Sequence, residues 1–180
     1  MQIVIFPDPV LKQSCEPCGE HDKSLKRIAK QMAHTMYKNN GCGLAGPQVG
    51  ILQRIVVLDC DTESNEPHPV TLINPVVVET SGDDCKENEG CLSFPGISVP
   101  VTRKAHAVVT YTDLSGHKCT IEGEGLLGRC LQHEIDHVNG ITMIDRCDPI
   151  DRLQAIRDYD AALAAGARPG DVSIRAKGER

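Results

Sequence analysis

The sequence predicts a single domain that mixes helices with strands. Three observations carry that expectation. The chain has 180 residues, a length that suits one hydrophobic core. Three segments space their apolar residues by three and four, as helices do. Between them lie β-branched runs bounded by turn residues, as strands are.

Residues 22–40 predict an amphipathic helix with Leu25, Ile28, Ala29, Met32, Met36 and Tyr37 on one face. Asp22 or Ser24 can cap its start, and Asn39-Asn40-Gly41 is a stop signal. "ILQRIVVLDC" (51–60) reads as a strand and "DTESNEPHP" as a polar loop. "VTLINPVVVET" is a second strand in which Pro75 marks an edge or a bulge. "SGDDCKENEG" reads as a polar connection into "CLSFPG". "AHAVVTYTD" and "HKCTIEG" flank "LSG" and predict a hairpin. A helix follows from about Glu124 to Val138, with Leu127, Leu131, Ile135 and Val138 as its apolar stripe and Gly140 just past its end. The last helix begins at Asp148-Pro149 and offers Leu153, Ile156, Tyr159 and Leu163 as its apolar face. The expected domain spans residues 1–165, and 166–180 are expected to be a flexible tail.

The formal net charge is -6 without a basic run, which argues against a general nucleic-acid binder. The start, "MQIVIFPDPV", lacks the layout of a secretory signal, and no apolar run is long enough to span a membrane. The expected location is the cytoplasm, where most of the nine cysteines would be thiols buried as small hydrophobes. Cys15 and Cys18 form a C-x-x-C, but no second such pair exists to complete a zinc ribbon, so the spacing reads as coincidence.

Chemistry concentrates in "LQHEIDHVNG". His133, Glu134 and His137 match H-E-x-x-H. Four residues make about one helical turn, so both imidazoles can aim at one metal ion while Glu134 flanks it. A catalytic site needs a third ligand. The extended motif of one peptidase class would place it at Met143, whose thioether substitutes poorly for imidazole. Asp158 and Asp160 lie far enough downstream to supply a carboxylate. Upstream, Cys91 sits among polar and glycine residues, an odd place for a buried thiol. A Cys-His-His set leaves one position open and accepts several divalent ions. Gly41 and Gly43 allow close backbone approach, yet no G-K-[ST] follows to make a phosphate loop. On Gln48 alone, a turn role is sufficient.

Three segments in order resemble the peptide deformylase family: Gly41-Cys42-Gly43-Leu44-Ala45-Gly46-Pro47-Gln48, Glu89-Gly90-Cys91-Leu92-Ser93, and Gln132-His133-Glu134-Ile135-Asp136-His137. "FPDPVLKQ" and Arg103 are similar to it as well. The resemblance implies an α+β domain with antiparallel β-sheets packed around a central metal-binding helix and a C-terminal helix outside. It implies removal of the N-formyl group from formyl-methionyl nascent polypeptides, with release of formate. It implies Cys91, His133 and His137 as metal ligands, Fe²⁺ foremost with Ni²⁺, Co²⁺ or Zn²⁺ as substitutes. Glu134 would be the general acid/base, and Gln48 and the Leu92 N–H would assist the oxyanion. Substrate contacts would fall at Gly43, Leu44, Gly90, Arg129 and Cys130.

Two positions depart from the family's usual pattern. Gly46 stands where a second alanine is frequent. Arg129 stands where an aliphatic residue often lines the methionine pocket, and its stem could cover apolar surface while its head reaches water. Docking at the ribosome is compatible with the weakly basic end that carries Arg168, Arg175, Lys177 and Arg180. Two other readings remain: a metallopeptidase using Asp158 or Asp160, and a binding module in which the metal is only a staple.

Overall fold

The computed structural model describes residues 1–19, 24–61, 64 and 66–171. Helix α1 (Leu25–Lys38) buries Leu25, Ala29, Met32 and Met36, the expected face. Ser24 precedes it, whereas Asp22 lies outside the described residues. The helix stops at Asn39, and Asn40 takes the left-handed turn (φ 55°). The Gly41 N–H then donates back to the Met36 carbonyl at 3.0 Å.

Five strands follow: β1 (Gly43–Ala45), β2 (Ile55–Leu58), β3 (Val70–Gly90), β4 (Ser98–Thr112) and β5 (Lys118–Glu124). They form one antiparallel sheet in chain order, not several. The Pro75 signal is a bulge. Register shifts between Ile73 and Val76, and Asn74 there has φ 51°. Its side-chain amide is held by the Cys18 backbone at 2.7 and 3.0 Å. The hairpin turns through Asp113–His117, where the Asp113 carboxylate accepts from the Ser115 and His117 N–H groups.

One expectation fails in this region. "SGDDCKENEG" is not a connection but the second half of β3, paired with residues 98–106 of β4. Its polar side chains hide the strand from a hydrophobic pattern. The ladder and cross-strand pairs such as Lys104–Asp84 (3.1 Å) hold it instead.

Helix α2 (Gly125–Val138) packs on all five strands, so the histidine-bearing element is central. A short α3 (Met143–Arg146) was not foreseen. Helix α4 (Pro149–Ala164) starts where expected, and of its expected face Tyr159 is buried and Leu163 packs against the same cluster, whereas Leu153 does not join them. Leu153 is 63% exposed, while Ala155, Tyr159 and Ala162 turn inward. Small residues suit this contact, because the Gly96 turn comes close. A Cβ on Gly96 would stand 2.7 Å from the Ala162 Cβ. Tyr159 fills the remaining space against Phe6 and Phe94, and its hydroxyl donates to the Phe6 carbonyl at 2.6 Å.

Residues 166–171 do not leave the body, contrary to the expected tail. The Gly96 N–H donates to the Asp171 carbonyl at 3.0 Å, and Gly170 lies against the Asn39 backbone. Residues 172–180 lie outside the described part.

Removing the Tyr159 hydroxyl isolates one buried hydrogen bond, while removing the ring leaves a void. Tyr159→Phe should cost about 1 kcal/mol and Tyr159→Ala about 3–5 kcal/mol in urea-denaturation midpoints.

Candidate active site

Cys91, immediately after β3, meets the two α2 histidines. Its Sγ lies 3.3 Å from His137 Nε2, which lies 3.2 Å from His133 Nε2. The three donor atoms all fall within 4.8 Å of one another. Both histidines are buried, as a helix face packed on a sheet requires. The downstream candidates do not join them. Asp158 and Asp160 are exposed on α4, with Asp158 accepting from Gln154, and Met143 is buried among Phe94 and Tyr159.

A buried ion-pair network orients these donors. The Glu89 carboxylate accepts from His133 Nδ1 at 2.9 Å, from Arg103 at 2.6 and 3.0 Å, and from Arg129 at 2.8 Å. Arg103 reaches on to Asp136 at 2.8 Å, and Arg146 closes on the same carboxylate at 2.5 and 2.9 Å. With the Nδ1 hydrogen committed to Glu89, His133 presents the Nε2 lone pair to the centre. Burial alone would raise the Glu89 carboxyl, but His133 and Arg103 outweigh it and hold the group well below the usual range. Burial also disfavours charge on His133, yet Cys91 and Glu89 together pull its pKa well up. Burial and the neighbouring His133 push His137 well down.

The fit to a metal ion rests on donor chemistry and on one more atom. Glu134 Oε2 is buried and has no hydrogen-bond partner among the described residues. Burial pushes the Glu134 carboxyl up to about 8. Its other oxygen occupies the space a side chain at position 43 would need, since a Cβ on Gly43 would stand 2.4 Å from it. Gln48 is pinned by its own loop. The Ala45 N–H donates to its Oε1 at 2.8 Å, which leaves Nε2 3.4 Å from Cys91 Sγ.

A cavity of about 250 Å³ opens beside these groups. Gly43, Gln48, Gly90, Leu92, Arg129, Cys130, His133 and Glu134 border it. Leu44 does not: its side chain is fully buried in the core beside Met32 and Met36, so only its backbone on edge strand β1 faces outward. Arg129 differs in another way. It borders the cavity, and its head is held by Glu89 and by the Val101 and Cys85 carbonyls (3.0 and 2.8 Å). Gly46 is required by the backbone, because a Cβ there would stand 2.6 Å from the Ile51 carbonyl oxygen. Cys15 and Cys18 pack in separate core clusters.

The sequence reading assigned no role to Glu89 or Asp136, nor to Asn39, Leu126 and Asp171 on the cavity wall. Glu89 carried one signal, a carboxylate two residues before a candidate ligand, but its partner Arg103 lies 14 residues on, on the neighbouring strand.

Sulfur and imidazole donors this close, with a spare carboxylate beside an open cavity, suit a metal-dependent hydrolase. The model of the polypeptide deformylase family matches residues 1–153, and the chain belongs to that family. A peptide deformylase of Rhizobium meliloti is 42% identical over 167 residues, covering 92% of this chain and 96% of its own. The peptide deformylase structure from Synechococcus elongatus in complex with actinonin has a TM-score of 0.84 at 37% identity, covering 91% of this chain and 88% of its own. That from Thermotoga maritima gives 0.76 at 41% identity, covering 82% and 97%.

Glu89→Ala leaves Arg103 buried without its main counter-charge and His133 without its orienting acceptor. Stability should fall by about 3–5 kcal/mol, and metal affinity about 10–100-fold, measured by urea denaturation and by competition with a chelating dye.

Proposed function

We propose that this chain removes the N-formyl group from formyl-methionyl nascent polypeptides, with Cys91, His133 and His137 holding the divalent ion and Glu134 carrying the proton. The observation that carries this reading is the buried Glu134 oxygen without a partner, beside three donors and a cavity. When bound, the ion acts as a Lewis acid and lowers the pKa of a water from ~15.7 towards ~7.

Glu134, raised to about 8 by burial, is matched to take a proton from water and later hand it to the departing amine. Gln48 Nε2 and the Leu92 N–H donate to the oxygen that gains charge as the formyl carbon turns tetrahedral. Each such donor is worth about 3–4 kcal/mol. Pinning of Gln48 Oε1 by Ala45 means that this donor needs no reorientation during the reaction. Gly43 and Gly90 let the substrate backbone approach closely, and Leu44 contributes through its own backbone. Cys130 and the Arg129 stem form part of the wall against the methionine side chain.

The sulfur-containing donor set accommodates Fe²⁺, the ion we assign, as well as Ni²⁺, Co²⁺ or Zn²⁺. The substrates place the enzyme in the cytoplasm, and among the described residues no helix is long and apolar enough to cross a membrane.

The function is tested by formate release from formyl-Met-Ala-Ser against the unformylated peptide. Glu134→Ala should lose about 10²–10⁴-fold in rate with metal retained, whereas Cys91→Ala should lose the metal in elemental analysis. An unchanged rate in the first, or full occupancy in the second, would reassign those residues. Ribosome docking through the basic end predicts that protein truncated after residue 171 co-sediments less with ribosomes than the full chain; equal binding removes that segment from the interaction.

A further inference from the structure

Three of the nine cysteines converge away from the Cys91 centre. The sulfurs of Cys42, Cys60 and Cys130 all lie within 4.8 Å of one another, and all three are free thiols. They come from three elements. Cys42 enters β1 and Cys60 follows β2, brought together by the register Gly43↔Leu58 and by the Asp59 N–H donating to the Cys42 carbonyl at 2.8 Å. Cys130 projects from α2 and contacts the same Cys42 carbonyl at 3.8 Å.

Buried cysteines often serve only as small hydrophobes, and Ala45, Val56 and Leu58 do surround this group. Two features exceed that role. The sulfurs meet one another rather than dispersing among aliphatic neighbours. Cys42 and Cys60 are also only partly buried, and Cys42 and Cys130 border the cavity, which gives an ion a path in. In a tetrahedral zinc site with bonds of ~2.3 Å, neighbouring sulfurs stand ~3.8 Å apart, so the thiols need to close by at most ~1 Å to reach that geometry.

We propose that Cys42, Cys60 and Cys130 form a second metal site for a thiophilic d¹⁰ cation, Zn²⁺ in the first instance. Binding converts three thiols into three thiolates and releases three protons to solvent. The fourth position faces the cavity and takes water. The site is not remote from the proton carrier, since a point at the Gly43 Cβ position lies 2.8 Å from Cys130 Sγ and 2.4 Å from Glu134 Oε1. Filling it therefore narrows the cavity next to Glu134, and excess zinc acts as an inhibitor distinct from exchange at the Cys91 centre.

The test uses full-length protein under reductant, equilibrated with Zn²⁺, desalted and analysed for metal per chain. The wild type should hold one ion more than Cys60→Ser, whatever occupies the Cys91 centre. Cys119→Ser, on β5, should match the wild type. Cd²⁺ should give an ultraviolet thiolate-to-metal band that weakens in Cys60→Ser by the share of three thiolates, while circular dichroism and deformylation without added zinc stay unchanged. Equal metal content and equal Cd²⁺ bands in wild type and Cys60→Ser would overturn the proposal. Loss of the Cys91-centre ion alone would instead count against the proposed function, because it leaves the difference between these two proteins intact.

Discussion

The Glu89 carboxylate is the constraint on which the rest depends. It is 5% exposed, and a buried charge is tolerated only when it is paired and hydrogen-bonded. Its partners come from β4 (Arg103) and from α2 (Arg129 and His133), while Glu89 itself ends β3. The same requirement then falls on Arg103, which shares itself with Asp136, and on Asp136, which takes Arg146 from α3. Charge neutrality thus ties two strands and two helices together beside Cys91, His133 and His137. Hydrophobic packing brings α2 onto the sheet, but it has no directionality and cannot fix the rotation of an imidazole. The ion pairs do that.

Three core clusters divide the labour around this network. One joins α1 to the start of the sheet through Met32, Met36 and Ile55, another seats α2 through Leu131, Ile135 and Val138, and the third holds α4 through Phe94 and Tyr159. Leu92 of the first cluster, Cys42 and Cys130 of the second and Ile97 of the third all border the cavity.

Helices α1 and α2 were legible because their apolar residues recur at three and four, and the histidine pair because it falls four apart on α2. The polar half of β3 was not, because a strand held by ladder bonds and cross-strand ion pairs leaves no apolar alternation. On α4 only Leu153 was misplaced: it is exposed, while the close Gly96 turn abuts Ala162 on the face that carries Tyr159. Glu89 with Arg103, and Cys42 with Cys60 and Cys130, are contacts between residues far apart in sequence. Strand pairing and the packing of α2 on the sheet create them, and no short window along the chain contains them.

The bare backbone at Gly43 also has a consequence for how this enzyme can diverge. A methyl group there would collide with both the Glu134 carboxylate and the Cys130 sulfur, so that side of the cavity offers no room for variation. Leu126, 46% exposed at the rim, bears no such restriction. New preferences for the residues after methionine can therefore arise from that rim, at positions free to drift while the reacting side stays fixed.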